Sequence, residues 1–473
     1  MPFHDPRKTK IVCTIGPASE SERVLTRLIR AGLNVARLNF SHGTHGEHRE
    51  KLRRLRAISA RLNCPVAVIQ DLAGPKIRTG VLPPEGVRVR HGETVLLSGR
   101  KHAAGSGIIP VNYPRLAADV KCGDAILLAD GTIELRIEKI KNDVLYCRVM
   151  VAGVVGTHKG VNIPSESLSI SGLTAKDRVD LEFAAKEDID FVALSFVRRP
   201  EDVLKVKRIL AAKGKRTPVI AKIEKPQALE CIDEIVAAAD GIMVARGDLG
   251  VEIPLEQVPV VQKMLIRKAN QAGKPVITAT QMLRSMVDSP RPTRAEVTDV
   301  ANAIWEGTDA VMLSEETASG HYPVDAVKVM DRIARTVEKD IAENAPVAAA
   351  YPSDDPIPDS ISYSAYLMVE ELQPRAIVTP TRSGATARRI SRYRPDAPII
   401  ALTPAKATER QLCLTRGVVP VLIPELVKPV DLTGAALTWA RKILPLKKGD
   451  RIVITAGTSI DPGTTNTIRL EKI

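Results

Sequence analysis

Residues able to handle a phosphorylated anion recur wherever a short apolar run of this chain ends. In Arg37-Leu38-Asn39-Phe40-Ser41 the polar residues alternate, so a strand's period of two places Arg37, Asn39 and Ser41 on one face. The run Val66–Asp71 closes on Asp71, and Lys222-Ile223-Glu224 again gives two polar residues on one face. Arg246-Gly247-Asp248 follows an apolar stretch, Thr278 and Thr280 close the next, and Ser314 and Glu316 follow the last. Singly, each fits a structural ion pair or a strand-end cap. Together they place the carboxylates Glu224 and Asp248, a lysine and an arginine around one mouth. Hard carboxylates suit Mg²⁺, which keeps several waters and bridges substrate phosphates. Cations aimed at a phosphoryl group in transfer supply the electrostatics such a reaction needs.

No Walker A sequence, Gly-rich kinase loop or Rossmann fingerprint occurs in the right context. Gly247-Asp248-Leu249-Gly250 reads as a tight turn whose N–H groups could face an anion. A nucleotide must then be held between the mouth and a lid.

The positioning elements follow from periodicity. Strands are expected at Lys10–Ile15, Asn34–Phe40, Val66–Asp71, Phe191–Ser195, Pro218–Ile223, Gly241–Ala245, Pro275–Ala279 and Asp309–Leu313. Helices are expected over Ser19–Ala31 and Glu47–Leu62, and beginning near Thr174, Pro200, Pro226, Leu255, Thr293 and Pro323. Eight such units satisfy a closed (β/α)8 TIM barrel, an α/β fold whose chemistry sits at the C-terminal strand ends. Periodicity leaves an open doubly wound sheet possible. Between the third and fourth strands the vocabulary is all-β, with Val87–Leu97, Ala125–Leu128, Ile133–Ile140 and Val144–Val151. The division expected is 1–71 and 170–343 as barrel, 72–169 as an inserted β-barrel lid, 344–359 as a Pro-rich linker, and 360–473 as a C-terminal α/β domain. That last domain should hold a helix at Ile361–Leu372, strands at Ala376–Thr379, Ile399–Leu402, Val418–Leu422 and Arg451–Thr455, and an edge strand at Thr467–Lys472.

Of 473 residues, 44% are hydrophobic and 26% charged, which excludes a disordered chain. Six scattered cysteines without paired spacing argue against zinc or a disulfide framework and for a reducing cytoplasm. No apolar run approaches the ~20 residues that span a bilayer, and the N-terminus lacks a signal-peptide core. The net charge of +13 is not interleaved with aromatic residues, which speaks against nucleic acid and leaves small anions open.

Several stretches then carry a resemblance: TKIVCTIGPAS, NVARLNFSHG, GPKIRTG, KGVNIP, AKIEKPQAL, GIMVARGDLGVEIP, TATQML, RPTRAEVTDVANAIWEGTDAVMLSEETASG and TNTIR, running from residue 9 to 469. In these the chain resembles the pyruvate kinases. The resemblance implies Mg²⁺-dependent (or Mn²⁺-dependent) phosphoryl transfer from phosphoenolpyruvate to ADP, giving pyruvate and ATP in glycolysis, by a homotetramer. It implies Lys222 as the lysine stabilising the phosphoryl group, Glu224 and Asp248 as metal ligands, and Gly247, Asp248 and Thr280 around the enolpyruvate moiety. Arg37 matches a phosphoenolpyruvate-binding arginine, and Arg78 and Lys159 match residues holding the nucleotide phosphates. Thr280, or a water ordered by Ser314 and Glu316, could protonate the enolate.

Two departures from the family pattern are informative. Asn39, Ser41 and Asp71 match a K⁺ site, but Leu72 replaces its Thr and Lys76 stands where a nearby Glu is usual. An ammonium there supplies the charge, and a second cation at ~4 Å with an effective dielectric of ~20 would cost about 4 kcal/mol. K⁺ independence, of the bacterial-like type, is expected. The segment containing Thr381, Ser383, Gly384 and Thr386 resembles the family's effector-phosphate loop. The later loop at 457–463 lacks the Trp and Arg of members activated by fructose bisphosphate, so a sugar monophosphate or AMP fits better. The alternatives are a Mg²⁺-dependent barrel lyase or aldolase acting on a pyruvate enolate, and a non-catalytic anion- or nucleic-acid-binding protein.

Overall fold

Eight short parallel strands close on themselves: β1 (Lys10–Thr14), β2 (Val35–Asn39), β3 (Ala67–Asp71), β4 (Phe191–Leu194), β5 (Val219–Ile223), β6 (Gly241–Ala245), β7 (Val276–Ala279) and β8 (Ala310–Leu313). The computed structural model describes residues 7–100, 107–129, 131–163, 172–344, 346–351, 355–424, 432–457 and 465–473. Each barrel strand pairs with its sequence neighbours, and β1 pairs with β8, Lys10 opposite Ala310, to seal the ring. Closure excludes the open sheet.

Alternate residues of each strand point inward or outward. Val12, Val35, Ile69, Ile220, Met243 and Ile277 belong to the buried cluster of the barrel strands. Outward residues pack on a helical layer whose starts are set by side-chain caps. Thr44, Thr174 and Thr293 each accept the N–H of an acidic residue three positions on and receive its carboxylate in return. Gly32, at φ 115°, ends the helix Glu22–Ala31 in a left-handed turn.

Between β3 and the helix Ala175–Lys186 the chain builds a six-stranded and a two-stranded sheet around their own apolar core. Val87–Leu97 is two strands, Val87–Val89 and Thr94–Ser98, divided by a turn at Gly92 with φ 80°. The C-terminal part is a five-stranded sheet in the order β11 (Val418–Leu422), β10 (Ile399–Thr403), β9 (Ala376–Pro380), β12 (Arg451–Gly457) and β13 (Thr465–Lys472). Only β13 is antiparallel, and it lies at the edge as expected.

Three further local readings change. The helix expected at Ile361 begins at Pro356, because prolines at 356 and 358 fall in the first turn, where a missing N–H costs nothing. The turn expected after β6 is a seven-residue helix, Arg246–Glu252. The helix after β5 breaks at Cys231 into Pro226–Glu230 and Ile232–Ala238.

The C-terminal sheet docks on the N-terminal ends of the barrel strands through ion pairs. Arg410 reaches Asp190 and Asp188 at 2.6 Å each, Arg394 reaches Asp309 at 2.9 Å, and Lys10 donates to the Val418 carbonyl at 2.8 Å. Among the described residues no helix is long and apolar enough to cross a membrane.

Candidate active site

At the opposite, C-terminal end of the barrel, the inward strand termini converge on Lys222. It is the fourth residue of β5, and its Nζ donates to Ser195 Oγ at 2.6 Å, facing Glu224 Oε1 at 2.9 Å and Asp71 Oδ1 at 3.3 Å. Burial opposes its charge, but Asp71 and Glu224 outweigh that and hold its pKa above the ordinary lysine value. Asp71 is itself buried. Lys222 and Arg37 overcome the burial penalty and keep its carboxyl below the ordinary range. Arg37 Nε bonds Asp71 Oδ2 at 2.6 Å and its Nη1 donates to Thr14 Oγ1 at 2.9 Å, so the end of β1 steers the arginine of β2.

Glu224 behaves differently. Burial raises its pKa, against the lowering pull of Lys222, and Asp248 raises it further. Its Oε2 accepts the Phe196 N–H at 2.7 Å, while Oε1 has only the Lys222 ion pair and no well-formed hydrogen bond; Asp71 Oδ1 is in the same position. Buried carboxylate oxygens short of partners carry a desolvation cost that a hard cation offsets. Asp248 is more open, on the first turn of the helix Arg246–Glu252, with Lys76 Nζ 3.2 Å from its Oδ1. No cluster of three or more potential metal-binding side chains occurs among the described residues. A Mg²⁺ ion held by Glu224 and Asp248 would need water and substrate oxygens to fill its remaining positions.

Beside this pair Thr280 has φ 71°, a conformation costly for a β-branched residue, ~1–3 kcal/mol. Its Oγ1 accepts the Gly247 N–H at 2.8 Å and donates to the Ala279 carbonyl at 2.6 Å. Arg246 holds this turn from behind. It donates to the Thr280 carbonyl at 2.7 Å and pairs with Asp299 at 2.6 Å, pointing toward the helical layer rather than the mouth.

The remaining sequence-level candidates divide. Arg78, Arg37 and Lys76 all lie near His42: burial first, then these three cations, lower its pKa. Arg78 and Lys159 flank the join of barrel and insertion, where Arg78 bridges Gly160 and the Lys159 N–H donates to Thr79 Oγ1 at 2.8 Å. Asn39 Oδ1 accepts the Ser41 N–H at 3.1 Å, but Lys76 turns to Asp248 rather than to these two residues or Asp71. Glu316 is buried with both oxygens engaged by backbone N–H groups, those of Leu283 at 3.1 Å and Ser314 at 2.7 Å.

In the C-terminal domain, Thr381 Oγ1 accepts the Gly384 N–H at 2.9 Å and Ser383 Oγ the Ala385 N–H at 3.4 Å. Thr386 faces away, its hydroxyl 2.5 Å from that of Thr465. Of the loop at 457–463, only Gly457 is among the described residues.

Two residues escaped the sequence reading. Ser195 receives Lys222 and donates to the Leu72 carbonyl at 2.8 Å. Glu252 accepts from Asn162 of the insertion at 3.0 Å and from Lys225 at 2.5 Å, tying insertion to barrel. The first is the polar end of the Phe191–Ser195 run and could have been flagged; the second has no local signal.

Residues 6–327 match a family model described as "Pyruvate kinase, barrel domain" and residues 359–471 one described as "Pyruvate kinase, alpha/beta domain". Pyruvate kinase 2 of Synechocystis sp. is 47% identical over 99% of this chain and 80% of its own length. The pyruvate kinase of Thermotoga maritima is 43% identical over 99% of the chain and 100% of its length, and that of Geobacillus stearothermophilus 46% over 99% and 80%.

Proposed function

The chain belongs to the pyruvate kinase family, and we propose that it transfers the phosphoryl group of phosphoenolpyruvate to ADP at the mouth centred on Lys222. The observation that carries the reading is the buried Lys222–Asp71–Glu224 cluster, whose single ammonium leaves two carboxylate oxygens short of partners.

In this reading Glu224 and Asp248 hold Mg²⁺, or Mn²⁺, whose charge offsets that of the substrate phosphates. Lys222 neutralises the phosphoryl oxygens in transfer, fixed by Ser195, Asp71 and Glu224 so that little reorganisation is needed. Arg37, oriented by Asp71 and Thr14, binds the phosphate of phosphoenolpyruvate. Gly247 and Thr280 position the enolpyruvate carboxylate beside Asp248. Arg78 and Lys159, at the base of the lid, hold the phosphates of ADP. The enolate left behind takes a proton from Thr280 or from a water beside Ser314, with Glu316 fixing the Ser314 backbone.

Residues 1–71 and 170–343 act as the catalytic barrel, 72–169 as the lid, 344–359 as the linker and 360–473 as the regulatory unit. The loop carrying Thr381, Ser383 and Gly384 takes the phosphate of a sugar monophosphate or AMP, with Thr386 serving its packing. The enzyme works in the cytoplasm as a homotetramer. It has no need of K⁺, because Lys76, 3.2 Å from Asp248, brings a fixed positive charge to the mouth.

ADP-dependent release of pyruvate from phosphoenolpyruvate, abolished by chelating the divalent metal, is the expected result. Pyruvate released without ADP would favour the lyase reading. A several-fold rise in rate on replacing an organic cation with K⁺ at constant ionic strength would overturn the role given to Lys76.

A further inference from the structure

On the far side of the barrel from the mouth, a cavity of about 510 Å³ opens between the barrel floor and the C-terminal domain. Its size falls within the ~300–1,000 Å³ usual for small-molecule sites. Asp240 and Lys274 line it from the barrel, and Arg388, Arg389 and Arg392 line it from the helix Ala385–Ser391 and the residue after it.

The acids here are already engaged. Asp240 accepts Lys207 at 2.9 Å and the Val219 N–H at 2.8 Å. Asp355 pairs with Arg389 at 2.6 Å, and Asp359 with Arg389 at 3.4 Å and Arg392 at 3.2 Å.

The cations are not matched by them. Arg388 forms no ion pair among the described residues, and its Nη2 reaches only the Ser383 carbonyl at 3.0 Å. Lys274 donates to the carbonyls of Val236, Ala237 and Ala239, neutral groups at the end of the helix Ile232–Ala238. Arg389 Nη1 and Arg392 Nε are buried without a hydrogen-bond partner. Counting Lys207, five cations meet three carboxylates among the described residues, which leaves two positive charges over there. Burial depresses Arg388 and brings Lys274 down to about 8, against the attraction of Asp240 at both.

We propose that this interdomain cavity binds a phosphate dianion, inorganic or as the monoester of a small metabolite, held by Arg388 of the C-terminal domain in the positive field of Lys274 of the barrel. A guanidinium offers the planar donor fork that phosphate accepts, and the two surplus charges match the dianion. The site is separate from the loop at Thr381–Gly384 but adjoins it. Arg388 donates to Ser383, and its Nη1 would lie 2.9 Å from a Cβ placed on Gly384. A ligand drawing Arg388 into the cavity therefore acts on that loop and on the seam between the domains together.

The test is calorimetric titration of inorganic phosphate, glucose 6-phosphate and AMP into the full chain. At least one should bind, with Kd raised tenfold or more by Arg388→Gln and changed less than threefold by Ser383→Ala. Which of the three binds distinguishes free phosphate from a sugar or nucleotide monoester. Should Arg388→Gln fail to fold, Lys274→Gln reads the same effect from the barrel side. Failure of all three to bind, indifference to loss of the cation, or equal sensitivity to Ser383→Ala overturns the proposal.

Discussion

The two ends of this barrel use the same residue types in opposite ways. At the C-terminal mouth, Lys222, Asp71 and Glu224 crowd into a buried cluster that leaves carboxylate oxygens without hydrogen bonds. At the N-terminal floor, Asp190 is fully used: one oxygen takes Arg410 at 2.6 Å, and the other takes Arg56 and the Val68 N–H at 2.7 Å each. The mouth keeps binding capacity for something else, whereas at the floor Asp190 is satisfied internally and joins two domains. That contrast is the general division of a β/α barrel between chemistry at one face and stability at the other. The cavity by Arg388 differs from Asp190, since among the described residues its cations outnumber its acids.

Loss of charge should therefore act on rate at one end and on stability at the other. The largest effect is expected for Lys222→Met. Removing a preorganised group aimed at developing charge costs roughly 10²–10³ in kcat, so steady-state assays should show a loss of about 10³ while phosphoenolpyruvate still binds. Retention of a tenth of the activity would remove Lys222 from the centre of the mechanism. Asp190→Ala is the counterpart at the floor. It takes the buried carboxylate from Arg410 and Arg56 and leaves them only the exposed Asp188, at a cost of about 3–5 kcal/mol. The thermal midpoint should fall by roughly 10 °C, with kcat at low temperature nearly intact. A variant that kept its midpoint but lost activity would invert the comparison.

Lys10, also at the floor, gives a pH-dependent version. Burial brings its pKa down to about 8 from an ordinary 10.5. Between these values the unfolded chain binds more protons than the folded one, so stability should rise with pH across that window. Lys10→Met should flatten the rise and stabilise the protein at pH 7, read as midpoint against pH. A profile unchanged by the substitution would show that Lys10 titrates normally.

How far each end can be read from sequence differs for a physical reason. The mouth was legible because strand period and strand termini are local: Arg37, Asp71, Lys222 and Glu224 follow from alternation and from where the apolar runs stop. Arg246 was not, since the chain turns helical at that residue and swings its side chain toward Asp299. Lys76 was assigned to the neighbourhood of Asn39, Ser41 and Asp71 by resemblance, and only the path of residues 72–76 shows that it meets Asp248. The floor cavity joins Asp240, Lys274 and Arg388, which no local pattern relates. Even at the mouth, Thr280 could be named but not its backbone state.

That backbone state yields the smallest expected change in stability and the sharpest separation of the two ends. Thr280 at φ 71° is strained, and the adjoining Gln281 has φ 55° as well. Glycine adopts such angles without steric cost, although it also frees the unfolded chain. Thr280→Gly should thus raise stability by about 1 kcal/mol. It also deletes the hydroxyl that fixes the Gly247 N–H at 2.8 Å, and activity should fall tenfold or more. The floor also holds a left-handed residue, Arg394 at φ 62°, but it pairs with Asp309, so changing it should alter stability and leave the rate intact. If Thr280→Gly proved less stable than the parent in denaturant titrations, the turn would be held by its own packing. The strain would then belong to the fold rather than to the site.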